Sequence, residues 1–430
     1  MRVLYLIHGH ENFSVGGAEN AAFSLFRELQ RHEGIETWIL AAVHTSKDVL
    51  AHGELRSVEG TDREYLIGTS CEWFRFTNAH IPSLRRSLQR LLGHIEPDVI
   101  HLQHYVHFGI DIIPLLQSLC PAAKIVVTLH EYLALCRHNG QMVTTHQLKL
   151  CKKATPLACS MCYPEHSTGD FFLRHHYIKT ILESCDALIS PSHFLIQRYR
   201  DSGIDHPNFL MIENGLPNHF DLSRRKEIMA THSDALNRFG YFGQLNLYKG
   251  CLVLLKAVYL LQEQGITNFS VNIYGANLEH QPEEFQEEFK LFHDKVRDRV
   301  LLRGSYRQTE LETLMQENDW VVVPSIWWEN SPVVIQEALF HGRPVIGSEL
   351  GGIAEKADSN GGITFTARSE SALARVMEKA VANTSLHQAL RRQIPEPTTA
   401  PNCAKQHVQA YESFLSRSEE NTDWASNTIP

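Results

Sequence analysis

Two α/β units in series, each a Rossmann-like parallel sheet flanked by helices and facing its partner across a cleft, are what this sequence predicts. Three observations carry that reading. The chain has 430 residues, more than one hydrophobic core of ordinary size organises. Short aliphatic runs alternate with longer stretches of helical period, which marks parallel α/β architecture. The same alternation starts again in the second half, after a polar junction near Asn218–Arg225.

In the first half, Arg2–His8, Thr37–Ala42, Val99–Leu102, Lys124–Leu129 and Ala187–Ile189 read as strands. Each is compact and aliphatic and is followed by polar, Gly or Pro residues, as buried parallel strands are. Gly16-Gly17 precedes a helix over Ala18–Arg31. In the second half the strands are Phe239–Phe242, Val271–Tyr274, Val300–Arg303, Trp320–Val323 and Pro344–Ile346. The expected division is 1–220 for the first domain and 221–402 for the second. A helix over 404–415 returns to the first domain, and a flexible polar tail spans 416–430.

Composition narrows the function. The chain is 43% hydrophobic and 21% charged, with no run near the ~20 apolar residues of a spanning helix. The apolar start, Met1–His8, is too short for a signal peptide and reads as a first strand, so a cytoplasmic protein is expected. A net charge of −9 without a Lys/Arg block excludes a nucleic-acid binder, whose affinity comes from phosphate neutralisation. Local basic faces at Arg85, Arg86 and Arg90, and at Arg174, His175, His176 and Lys179, fit either the solvated side of an amphipathic helix or contact with an anionic membrane.

Three segments carry chemistry. Tyr241-Phe-Gly243-Gln244 through Lys249-Gly250 is a strand, a glycine turn, a lysine and a helix start. Gly243 lets a ligand approach the backbone, and Lys249 and free amides suit a diphosphate; a tight turn with a surface lysine reads the same way. In Pro324-Ser-Ile-Trp-Trp-Glu329-Asn330-Ser331-Pro332-Val333-Val334-Ile-Gln-Glu337, Ser331 is the expected N-cap and Pro332 the first helical turn. Amides near Ser331, Val333 and Val334 and carboxylates on Glu329 and Glu337 suit a polyhydroxylated, phosphate-bearing ligand; taken singly, Glu329 reads as a loop charge and Glu337 as a solvated helix residue. Finally, Gly351-Gly352 follows a strand, either as an ordinary turn or to let backbone pass close to that ligand.

Taken in order, these pieces resemble the family-4 retaining glycosyltransferases of the GT-B fold. The resemblance also rests on Gly16-Gly17-Ala-Glu19, Thr128-Leu-His130, Ser190-Pro-Ser192, Asn214-Gly215 and the E-x7-E spacing of Glu329 and Glu337. It implies transfer of a hexose-type sugar from a UDP- or GDP-sugar to a hydroxyl of a glycan, lipid-linked or small-molecule acceptor. The setting implied is bacterial glycan, lipopolysaccharide or glycoconjugate synthesis, at or near the inner face of the membrane.

By the same resemblance, His130, Lys249 and Glu329 are catalytic: His130 beside the reacting sugar, Lys249 on the diphosphate, Glu329 on sugar hydroxyls. Glu337 holds the ribose. Gly16, Gly17, Gly243, Asn330, Ser331, Val333 and Val334 complete the donor site. Gln244 stands where many relatives carry Arg, so its contact has no defined role. No Asp-x-Asp metal motif is present, and metal-independent transfer is expected. A sugar-nucleotide epimerase or hydrolase of the same fold, or a non-catalytic partner subunit, are the competing readings.

Nine cysteines in a cytosolic-looking chain do not suggest a disulfide framework. Cys136, Cys151, Cys159 and Cys162, in a C-x14-C-x7-C-x2-C pattern within the insert 136–162, suit four-thiolate structural zinc or are scattered reduced thiols. His101, His104 and His107, spaced by three, are a metal face or packing at the edge of the cleft.

Overall fold

The computed structural model describes residues 1–13, 16–45, 50–78, 80–230 and 236–426. The chain divides into Met1–Asn218 with Thr399–Pro430, and His219–Thr398. In the first unit, β1 (Arg2–Ile7), β2 (Glu36–His44), β3 (Leu55–Ser57), β4 (Glu64–Thr69), β5 (Val99–Leu102), β6 (Lys124–Thr128), β7 (Ala187–Ser190) and β8 (Phe209–Met211) form one sheet. Their order is β3-β4-β2-β1-β5-β6-β7-β8. All pairs are parallel except β3 on β4, a short antiparallel edge that the sequence pattern does not announce.

The second unit has β9 (Arg238–Phe242), β10 (Ser270–Tyr274), β11 (Val300–Gly304), β12 (Trp320–Val323), β13 (Val345–Ser348) and β14 (Ile363–Phe365). They run parallel in the order β11-β10-β9-β12-β13-β14. The central strands are aliphatic because helices cover both faces of each sheet. Val321, Val322, Val345 and Ile346 are all buried. Strand order reverses between β1 and β5 in one sheet and between β9 and β12 in the other. At such a reversal the loops leaving the carboxyl ends diverge and open a crevice where α/β sheets take ligands.

The last helix, Ala400–Ser426, starts earlier and runs further than the sequence pattern predicts. The expected tail 416–430 therefore begins as helix, and 427–430 lie outside the described residues. This helix packs on Gly17–Leu29 of the first unit. Its Tyr411 is fully buried, with its hydroxyl 2.9 Å from the Tyr5 hydroxyl and 2.6 Å from His101 Nδ1. Thr128 Oγ1 meets the other ring nitrogen at 2.7 Å. Buried aromatic area supplies the attraction, and this hydrogen-bonded chain fixes which face of the helix turns inward.

Helix Ile81–Ile95 is amphipathic as expected, with Leu84, Leu88, Leu91 and Leu92 buried and Arg85, Arg86 and Arg90 exposed. Helix Thr168–Glu183 corrects the second basic face. Arg174 is 2% exposed and donates from Nε to the Phe74 carbonyl (2.6 Å), from Nη1 to Ala134 (2.9 Å) and from Nη2 to Leu133 (2.6 Å). It is an internal strut and belongs to no solvated patch. Among the described residues no helix is long and apolar enough to cross a membrane.

Candidate active site

In the second unit the candidate site forms at the β9/β12 reversal. After β9 the chain turns at Gly243, whose amide donates to the Tyr274 carbonyl at 3.0 Å. No protein atom lies closer than 3.6 Å to where a Gly243 Cβ would sit, so space above this backbone is open. Asn246 caps the turn by accepting from the Lys249 amide (2.9 Å), and its own amide donates to Gln244 Oε1 (3.2 Å). Gln244 is thus held by the turn itself. Lys249 precedes helix Cys251–Glu263, with Gly250 in its N-cap position.

Lys249 Nζ lies 2.7 Å from Glu329 Oε1, and the same oxygen accepts from Ser325 Oγ and Trp327 Nε1, each at 2.9 Å. Among the described residues no donor meets Oε2. Burial acts to raise the Glu329 carboxyl, but Lys249 and the three donated hydrogen bonds outweigh it and hold the group below the ordinary range. Glu329 therefore fixes the position of a cation, a role that the sequence pattern does not assign to it.

Glu337 lies inside helix Val333–Phe340, buried, and accepts from Gln308 Nε2 at 3.0 Å. Burial pushes its carboxyl up, opposed by the Gln308 amide. Ser331 is not the N-cap; Pro332 holds that position, and Ser331 Oγ is buried with no partner. The amides of Val333 and Val334, in the first turn, have no helical carbonyl to bond. An orphaned hydroxyl beside two such amides suits an anionic oxygen that accepts hydrogen bonds. Gly352 is a packing requirement: a Cβ there would lie 1.5 Å from the Asn330 carbonyl oxygen, and its amide donates to Glu329 at 2.8 Å. It pins the Glu329–Asn330 loop rather than admitting a ligand.

The first unit carries a second polar group at its own reversal. Gly16 occupies the N-cap position of helix Gly17–Leu29, and nothing lies within 4 Å of where a Gly17 Cβ would sit. His130 Nε2 is 3.1 Å from Gln103 Oε1, so that nitrogen carries the proton and Nδ1 is left as acceptor. Burial, with His8 nearby, brings its pKa down to about 4, which keeps the ring neutral at about pH 7. Next to it, burial pushes the Glu131 carboxyl up to about 8 while lowering His104, 3.5 Å away. The two face each other as neutral acid and neutral imidazole. His101, His104 and His107 do not converge: they meet Tyr411 and Thr128, Glu131, and the His8 carbonyl respectively.

Residues 15–218 match the family model for Glycosyltransferase Family 4, and residues 237–383 match that for Glycosyl transferases group 1. The chain belongs to the family-4 glycosyltransferases. A search of curated proteins finds no match. Among solved structures, sucrose-phosphate synthase from Thermosynechococcus elongatus superposes with a TM-score of 0.65 at 16% identity, over 97% of this chain and 100% of that one. A glycosyltransferase from Rickettsia africae gives 0.64 at 16%, over 96% and 98%. HepE from Anabaena, in complex with UDP and glucose, gives 0.61 at 15%, over 96% and 100%. At these identities the likeness is one of fold, and that fold is GT-B.

In this glycosyltransferase the structure joins Lys249 to Glu329 and sets the Glu337 helix beside the same loop. Sequence reasoning missed Gln308, Ser325 and Trp327. Ser325 and Trp327 lie just past a strand end, a position that invites inspection; Gln308 sits in a short turn after β11 and carries no local signal. The four insert cysteines are reduced; burial pushes the thiols of Cys136, Cys151 and Cys159 up, with a smaller push from neighbouring thiols. Among the described residues no three His, Cys, Asp or Glu side chains are already arranged around a cation site.

Proposed function

We propose that this glycosyltransferase is a retaining enzyme moving a hexose-type sugar from a UDP- or GDP-sugar, gripped by the second unit, to a hydroxyl acceptor handled by the first. The Lys249–Glu329 pair, set in a buried network beside the orphaned Ser331 hydroxyl, carries this reading. As the bond between the anomeric carbon and the diphosphate oxygen breaks, its electron pair leaves with the diphosphate. Lys249 and the first-turn amides stabilise that charge where it develops, with no step through a metal. Glu329 holds the ammonium through Oε1 and offers Oε2 to a sugar hydroxyl, while Glu337 accepts from the ribose. The acceptor attacks on the same face and passes its proton to the leaving phosphate. His130, neutral, serves as a hydrogen-bond partner to the sugar.

The complexes of HepE with UDP and with UDP-glucose support a nucleotide-sugar donor. UDP or GDP at a hundredfold excess over its dissociation constant should stabilise the protein by about 2.7 kcal/mol. Thermal melts that respond to neither nucleotide, in protein that binds sugar acceptors, would remove the donor assignment.

The insert belongs to the acceptor side of the proposal. Leu157 and Met161 on helix Pro156–Cys162, and Phe172 and Leu173 on the next helix, are each more than half exposed, near exposed Lys152 and Lys153. Apolar side chains rimmed by lysines fit peripheral contact with an anionic cytoplasmic membrane face, where a lipid-linked acceptor resides. Flotation with anionic liposomes at low salt should carry the wild type and leave Phe172→Glu behind; a wild type that stays at the bottom rejects the contact. We also assign structural zinc to Cys136, Cys151, Cys159 and Cys162, whose thiols would turn to a common point on binding. One zinc per chain is expected from elemental analysis of protein purified without chelator, and none would retire the assignment.

A further inference from the structure

On the opposite edge of the second sheet, at the amino-terminal ends of β9, β12 and β13, lies a cavity of about 560 Å³, within the size range of metabolite sites. Arg224, Arg238, Arg343 and Arg391 line it. Three of these are committed to protein groups. Arg224 pairs with Glu227 and Glu312, both at about 2.8–2.9 Å. Arg238 clasps buried Asp319 with two nitrogens, at 3.0 and 2.8 Å. Arg391 donates to the Ile228 carbonyl at 2.8 Å.

Arg343 differs. It is only 7% exposed, its Nε, like that of Arg391, is buried without a hydrogen-bond partner, and unlike the other three its guanidinium donates to no carboxylate or carbonyl among the described residues. Burial and neighbouring Arg391 bring its pKa down to about 10, so it keeps its charge at about pH 7. The carboxylate acting on it, Asp319, is already clasped by Arg238, so the buried Arg343 cation shares its anion and leaves charge that an outside anion can meet.

We propose that this cavity is a binding site for a small organic phosphate, with Arg343 as the group that neutralises it. Several planar guanidinium forks around one space suit the multiple acceptor oxygens of a phosphate better than a single carboxylate. Inorganic phosphate fills a small part of the volume. Gln316, Gln388 and Glu227 offer partners for hydroxyls of an organic body, and Ile228 and Leu236 give it an apolar wall. The site is distinct from the one at Lys249: a five-residue strand such as β9, spanning ~17 Å, separates the two edges. The two are joined through one helix. The chain passes from Glu337 in Val333–Phe340 to His341, whose Nδ1 bonds the Glu337 carbonyl at 2.7 Å, and then directly to Arg343.

The test is thermal melting of the full chain in chloride buffer with inorganic phosphate, glycerol 3-phosphate or glucose 6-phosphate. At a hundredfold excess over its dissociation constant, one of the organic phosphates should raise the melting temperature of the wild type by roughly 5 °C. Arg343→Gln should abolish that shift and, without ligand, melt no lower than wild type, since it removes a buried charge whose nearby carboxylate, Asp319, stays clasped by Arg238. Lys249→Ala should keep the shift. Arg224→Gln, which alters a half-exposed side chain, should weaken binding at least about 10-fold and provides the comparison if Arg343→Gln does not fold. The assignment is overturned if no organic phosphate acts on the wild type, if inorganic phosphate acts equally well, if Arg343→Gln or Arg224→Gln responds like wild type, or if Lys249→Ala loses the response. None of these readouts depends on glycosyl transfer, so failure here leaves the transferase proposal standing.

Discussion

Replacing Lys249 with alanine is expected to lower the turnover number for glycosyl transfer by roughly 10²–10³-fold, with donor KM changed far less. The ammonium sits 2.7 Å from Glu329 Oε1, and Gly352 fixes the Glu329 loop from below, so its position is set before any ligand arrives. A cation preorganised in this way acts where charge appears on the departing diphosphate, which is why the loss falls on turnover rather than on ground-state binding. Ser325 and Trp327 continue to satisfy Glu329 in the variant, so the fold survives. Glu337→Ala should behave differently, weakening nucleotide binding at least about 10-fold through the lost ribose contact and raising donor KM. Steady-state kinetics with the donor base identified by the melting screen separates the two. A Lys249→Ala enzyme within about threefold of wild-type turnover would mean the charge is stabilised elsewhere.

The central strands were legible because burial on both faces writes a continuous aliphatic run, as in Trp320–Val323 and Val99–Leu102. The edges were not. β4 opens with a glutamate and contains Gly68, and β3 has three residues, so neither carries a pattern that separates it from loop. The donor loop was visible for a related reason: Lys249 and Glu329 lie in segments leaving strand ends, and the Glu329–Glu337 spacing is local. Their supporting partners were not, since Gln308 is 29 residues from Glu337 and only the fold joins them. Two local rules misled. Ser331 is the residue type that caps helices, but the helix starts one residue later than that role requires, and its hydroxyl is left buried without a partner. Arg174 sits among His175, His176 and Lys179 and looks solvated, because periodicity shows which face a residue takes and not whether three carbonyls wait there.

Those three carbonyls make Arg174→Met the variant with the largest expected effect on stability. The guanidinium joins the Phe74 carbonyl to those of Leu133 and Ala134, tying the start of the cysteine-bearing insert to helix Thr168–Glu183 and the loop at residue 74. Its face also lies 5.6 Å from the Phe76 ring and 6.0 Å from that of Phe74. Methionine keeps much of the apolar volume but returns no donor, so three buried acceptors lose charge-assisted bonds worth roughly 1.5–3 kcal/mol each. Relief of the buried charge offsets part of that. The net loss should be about 3 kcal/mol, which lowers the melting temperature by roughly 6–12 °C for a unit of this size. His176→Ala, an exposed change two residues away, should stay within about 0.5 kcal/mol. Denaturant titration of both variants against wild type decides it: equal midpoints for Arg174→Met and His176→Ala would show that water or a rearranged backbone satisfies these carbonyls, and that the insert is anchored by packing alone.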